Sequence, residues 1–97
     1  MAIVAVFQGP SFTKQNYEET VRRVTGGKAR VASPADWPVP GLLVHAAGQS
    51  KDGFRVVDVW ESAEAFQRFG ETLIPILKSL GIEGEPEVYE AHTFVSA

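Results

Sequence analysis

Cysteine is missing from this 97-residue chain. That excludes disulfides, a thiolate nucleophile and any Cys-based metal site. Positive charge is scarce as well. Nine Lys and Arg stand against twelve Asp and Glu, for a net charge of −3. Such a balance argues against nucleic acid or an anionic membrane as partner, since both require clustered positive charge. Long hydrophobic runs are lacking: the apolar stretch Met1–Phe7 lacks a basic flank and is broken at Gly9-Pro10. It is too short for a membrane span or a secretory signal and reads as a strand, so a cytoplasmic protein is expected. Gly26-Gly27-Lys28 lacks the spacing and the following Ser or Thr of a phosphate loop, and no Gly-x-Ser-x-Gly elbow occurs.

What is present is ordinary for a folded domain: 44% hydrophobic, 10% aromatic and 22% charged residues. Residues 1–97 are expected to form one domain. A chain of this length buries roughly 60–65% of its unfolded surface. With so little core, covering one face with a second copy of itself is a natural remedy.

Ala2–Gln8 reads as a first strand ended by Gly9-Pro10. Thr13 can cap a helix to about Val24, with Tyr17, Val21 and Val24 on one stripe, stopped by Gly26-Gly27. The connection from 28 to 40 holds three prolines and one large anchor, Trp37, which pins the loop to the core or closes over a substrate. Gly41–Gln49 and Phe54–Trp60 read as a hairpin around Ser50-Lys51-Asp52-Gly53. Ser62 caps a second helix with Phe66, Phe69, Leu73, Leu77 and Leu80 on its apolar stripe; Pro75 is expected to kink or split it, and Gly81 to close it. Glu87–Val95 reads as the last strand. The β-α-β-β-α-β order implies an α+β fold of the ferredoxin-like type: a four-stranded antiparallel sheet with both helices on one face.

Side chains alternate along strands, so the hairpin register assigns faces. Pairing Gln49 with Phe54 places Val44 opposite Val59 and Ala46 opposite Val57, small apolar pairs expected beneath the helices. The other face then holds Ala47–Val56, His45–Asp58 and Leu43–Trp60, an apolar surface with a few polar groups, as in a ligand cleft. Directly paired strand residues have Cβ atoms about 5 Å apart. The Asp58 carboxylate can therefore take a hydrogen bond from one imidazole nitrogen of His45, fix the tautomer and leave the other nitrogen as a general base. The plainer alternative is a polar pair that only satisfies itself. Trp60, Phe54 and Leu43 would line the pocket, with Trp37 from the loop. His92 falls in phase with Val88 and Glu90 and is placed toward the cleft. The histidine spacing does not suggest a metal site, and no cofactor is expected.

Taken together, Gly41-Leu-Leu-Val-His45-Ala-Ala-Gly48, Arg55-Val-Val-Asp58-Val-Trp60-Glu61-Ser62, Ala65-Phe66, Phe69, Pro75, Gly81 and Val88 through His92 resemble the dimeric α/β-barrel superfamily. More narrowly, the chain resembles small proteins grouped near the antibiotic biosynthesis monooxygenases, and the resemblance covers nearly the whole chain. The Val-Trp-Glu-Ser junction is its most specific part. The resemblance implies a homodimer in which two ferredoxin-like sheets close a barrel. It also implies one of several chemistries, among them cofactor-independent oxygenation of polyketide-type aromatics, isomerisation and haem degradation. Trp60 matches a Trp of those oxygenases; where they carry an Asn upstream on the same strand face, this chain has Val56. The expected function is a small cofactor-independent enzyme, monooxygenase- or isomerase-type, acting on a hydrophobic aromatic or polyketide-like molecule. The alternative is a non-catalytic ligand-binding or stress-response protein of the same fold.

Overall fold

The structure, a computed structural model, describes residues 1–28 and 31–96. Ala29 and Arg30 of the long connection lie outside the described residues. The elements are β1 (Ile3–Phe7), α1 (Lys14–Thr25), a 3-10 turn (Pro34–Asp36), β2 (Leu42–Ser50), β3 (Gly53–Trp60), α2 (Ala63–Ser79) and β4 (Glu87–Glu90). Both helices start on the hydroxyl caps expected of them. Thr13 Oγ1 accepts from the Asn16 N–H at 3.1 Å and Ser62 Oγ from the Ala65 N–H at 3.1 Å. Pro75 does not split α2, which runs through it as one helix. The proline withholds a donor from the Glu71 carbonyl, and both residues sit on the exposed side, where water can replace that bond. The end of α2 is set by Gly81 at φ 71°. Its N–H bonds the Lys78 carbonyl at 3.1 Å, and the Ile82 N–H bonds that of Leu77 at 3.0 Å. This paired arrangement turns the chain sharply and sets Ile82 close to Leu77.

The sheet order is β2-β3-β1-β4, and every neighbouring pair is antiparallel. Each β-α-β crossover skips one strand, an arrangement compatible with the ferredoxin-like split βαβ unit. Within the single chain the sheet is open, with β2 and β4 at its edges. Among the described residues no helix is long and apolar enough to cross a membrane.

Three details depart from expectation. The last strand ends at Glu90 rather than Val95, because Glu90 pairs with Ile3 near the start of β1. One further bond, Ala91 N–H to the Ala2 carbonyl at 2.9 Å, exhausts the partner strand. His92 therefore lies beyond the sheet and is exposed. Next, the register shifts between Leu42 and Val44, so that Leu42, not Leu43, pairs with Trp60. Leu42 is buried and Leu43, left at the irregularity, is 41% exposed. The third departure concerns the faces. Ile3, Ala5, Phe54, Val56, Asp58 and Trp60 share the side buried with the helices. Val4, Val44, Val57 and Val59 occupy the other side and are only partly covered, with Ala46 exposed. The bulky aromatics fill the space between sheet and helices, where burying their large area contributes most. The valine face is only partly covered, with Val6 buried and Val4, Val44, Val57 and Val59 half-buried.

Gly41 joins the loop to β2 at φ 113°, a region closed to residues with a Cβ. A Cβ built there would lie 2.6 Å from Ala65 Cβ, and the Gly41 carbonyl accepts the Glu61 N–H at 2.8 Å. The glycine thus lets the start of α2 close over the sheet. Gly41→Ala should destabilise the fold by about 2–4 kcal/mol in urea unfolding, combining backbone strain with overpacking.

Candidate functional site

The register pairs His45 on β2 with Asp58 on the neighbouring β3, both turned toward the helices. His45 Nδ1 lies 2.7 Å from Asp58 Oδ1. Trp60, two residues along β3 and so on the same face, donates its indole N–H to Asp58 Oδ2 at 3.3 Å. From the other side, Tyr17 on α1 places its hydroxyl 2.7 Å from His45 Nε2, with the two rings only 13° from coplanar.

Donor chemistry orders the protons in this chain. An indole N–H can only donate, so Asp58 accepts from Trp60. Burial, and then the charge of Asp58, push the Tyr17 phenol above its ordinary value, which keeps it protonated and donating. With His45 as a neutral imidazole, Tyr17 O–H donates to Nε2 and Nδ1–H donates to Asp58. Asp58 is 1% exposed and Trp60 fully buried. Such groups are tolerated inside a core when their bonds are made, as they are here.

Aromatic rings enclose the chain. Trp37 lies 4.9 Å from the His45 ring and stacks on Phe69 at 5.6 Å, and Phe69 stacks on Trp60 at 5.0 Å. Phe54 packs against Tyr17 at 5.0 Å. Trp37 is held by its loop, whose Asp36 carboxylate bonds Lys28 Nζ and accepts the Ala32 N–H at 2.8 Å and the Ser33 N–H at 3.3 Å. The Lys28 ammonium and then the Ala32 N–H hold the Asp36 carboxyl below its ordinary value. The Trp37 Nε1–H is buried without a hydrogen-bond partner among the described residues.

The structure thus gathers His45, Asp58, Trp60, Trp37 and Phe54. Leu43 and His92 are not part of this group. Leu43 is displaced by the register shift at the start of β2. His92 follows β4, at the opposite edge of the sheet from β2, about 14 Å away by strand spacing. Tyr17 is the member that pattern reading underrated. Read only as part of the apolar stripe of α1, it turns its hydroxyl onto His45 and closes the chain. The available signal was a phenol on the buried stripe with Val21 and Val24, which needs an acceptor. Consequently neither imidazole nitrogen is free, in contrast to the expectation of an open Nε2.

The space around the chain is uneven. A cavity of about 30 Å³ lies beside it, among Phe7, Val21, Phe69 and Leu73, large enough for about one water-sized molecule. An open hollow of about 410 Å³ lies outside it, bordered by Lys14, Tyr17, Glu18, His45, Ala47 and Phe54. No group of three His, Asp or Glu side chains among the described residues could hold a metal ion. No protein-family model matches the chain, and comparisons with curated proteins and with solved structures find no significant match.

Proposed function

We propose that this chain is a small cofactor-independent enzyme that removes a proton from an activated C–H or O–H group of a hydrophobic aromatic or polyketide-like molecule. The observation that carries the proposal is the unbroken Tyr17–His45–Asp58 chain, with two 2.7 Å contacts inside an aromatic shell. A substrate seated in the hollow beside Tyr17 and His45 meets the phenol first. As the Tyr17 oxygen takes the substrate proton, its own proton passes to His45 Nε2. The imidazolium is held by Asp58, which keeps its charge throughout. A proton taken this way starts either an isomerisation or an oxygenation. Trp60 serves as a positioning residue that holds the Asp58 carboxylate.

The reading extends to the assembly. The partly covered face carries Val4, Val44, Val57 and Val59 with exposed Ala46 and Tyr89. An apolar sheet face of this kind is suited to a second copy, as in the dimeric α/β barrels that the sequence resembles.

A second reading, a non-catalytic binding protein, is favoured by one observation: both His45 nitrogens are already bonded within the chain. The two readings separate on deuterium uptake in D2O at the central carbon of benzoylacetone, an aryl 1,3-diketone. The enzyme reading expects uptake above buffer. His45→Ala should slow that uptake about 10²–10⁴-fold and Tyr17→Phe should also slow it. Uptake at the buffer rate, or uptake indifferent to His45→Ala, favours binding alone.

A further inference from the structure

A second hollow, larger than the one beside Tyr17 and His45, lies away from the histidine. It is a groove of about 850 Å³ between α2 and the Ile82–Pro86 segment leading into β4. Its walls are apolar: Phe7 from β1, Phe66, Leu73, Ile74 and Leu77 from α2, and Val88 from β4. Ile74 is 52% exposed and Val88 47% exposed, so these side chains face one another across the groove without closing it. The reason is local. The Gly81 turn holds Ile82 beside Leu77 at the end of α2, and the chain then runs through Pro86 to the sheet, so that Ile82 and Pro86 close one end of the groove. Volume and lining match those of small-molecule sites.

The lip of this groove has a sign. Glu71, Glu83 and Glu85 border it against the single cation Lys78, and all four are exposed. None of them forms an ion pair with another described residue. An apolar trough under a negative rim complements a molecule with an apolar body and a positive head, and it repels a carboxylate of the same length. Its concave shape fits such a molecule better than the flat face of a second copy.

We infer that the groove between α2 and β4 is a binding site for a lipophilic cation, an amphiphile with an amine or ammonium head. The site is separate from the Tyr17–His45–Asp58 chain and does not depend on the reaction proposed above. Its inner wall is shared, because Phe7 and Leu73 line both the groove and the small cavity beside His45.

The test is titration of the full chain with dodecyltrimethylammonium and, separately, laurate, each below its micelle concentration, followed by amide NMR and calorimetry. The expected result is saturable one-to-one binding of the cation, with shifts centred on α2 and β4, and affinity for laurate weaker by at least about tenfold. Ile74→Lys, which sets a positive charge in the apolar wall, should abolish binding of the cation. Glu83→Lys combined with Glu85→Lys should narrow or invert the preference while leaving the fold intact, which guards against a variant that merely unfolds. Absence of saturable binding would overturn the inference, as would equal affinity for laurate or binding indifferent to Ile74→Lys. So would sedimentation showing that Ile74→Lys converts a dimer to a monomer, since a second copy would then be the occupant.

Discussion

Asp58→Ala should cost about 3–5 kcal/mol of folding stability, because it removes one partner of a buried, hydrogen-bonded pair. Asp58 is 1% exposed and accepts from two side chains, His45 and Trp60. Alanine leaves both donors without their acceptor inside the core. Asp58→Asn keeps the shape but can accept through one oxygen only, and its amide group then faces the other donor. Its cost should be smaller, about 1–3 kcal/mol, the penalty of one unmatched buried polar group. The comparison is made in urea, as a shift of midpoint at unchanged slope. Equal midpoints for Asp58→Ala and the parent chain would show that the carboxylate is not held as described.

Trp60→Ala is the second large effect, at about 3–5 kcal/mol from the cavity alone. Trp60 is fully buried, stacks on Phe69 at 5.0 Å and packs against Phe66 at 5.9 Å. It also supplies the N–H that holds Asp58 Oδ2. Trp60→Phe separates these contributions. It keeps the stacking surface and deletes the donor, so its cost should fall to about 1–3 kcal/mol. Because the indole positions Asp58, Trp60→Phe should also disturb His45, two side chains away, which a simple loss of packing would not do.

Much of this site was legible in the sequence, for a definite reason. Side chains in a hairpin alternate strictly, and Asp52-Gly53 marks the turn, so pairing Gln49 with Phe54 puts His45 against Asp58. The caps at Thr13 and Ser62 were readable because hydroxyls before apolar stripes have one main use. The face that turns inward was not legible. Both faces of the hairpin are largely apolar, and only the placement of the helices shows that Phe54 and Trp60 fill the interior while Val57 and Val59 look out. The register shift at Leu43 was hidden too, since nothing in Gly41-Leu42-Leu43-Val44 signals an extra residue. The bond between Tyr17 and His45 joins residues 28 apart. It depends on how α1 lies across β2, which is a property of packing rather than of local pattern.

Tyr17, His45 and Asp58 are joined in one ordered hydrogen-bonded chain. The most direct measurement is ¹⁵N–¹H correlation of the His45 imidazole at neutral pH, in the parent chain and in Tyr17→Phe. A single fixed tautomer is expected, with the proton on Nδ1 and Nε2 accepting, and an Nε2 signal that moves when the phenol is removed while Nδ1 stays bonded to Asp58. An imidazole that averages between tautomers, and whose two nitrogens ignore the loss of the Tyr17 hydroxyl, would contradict it.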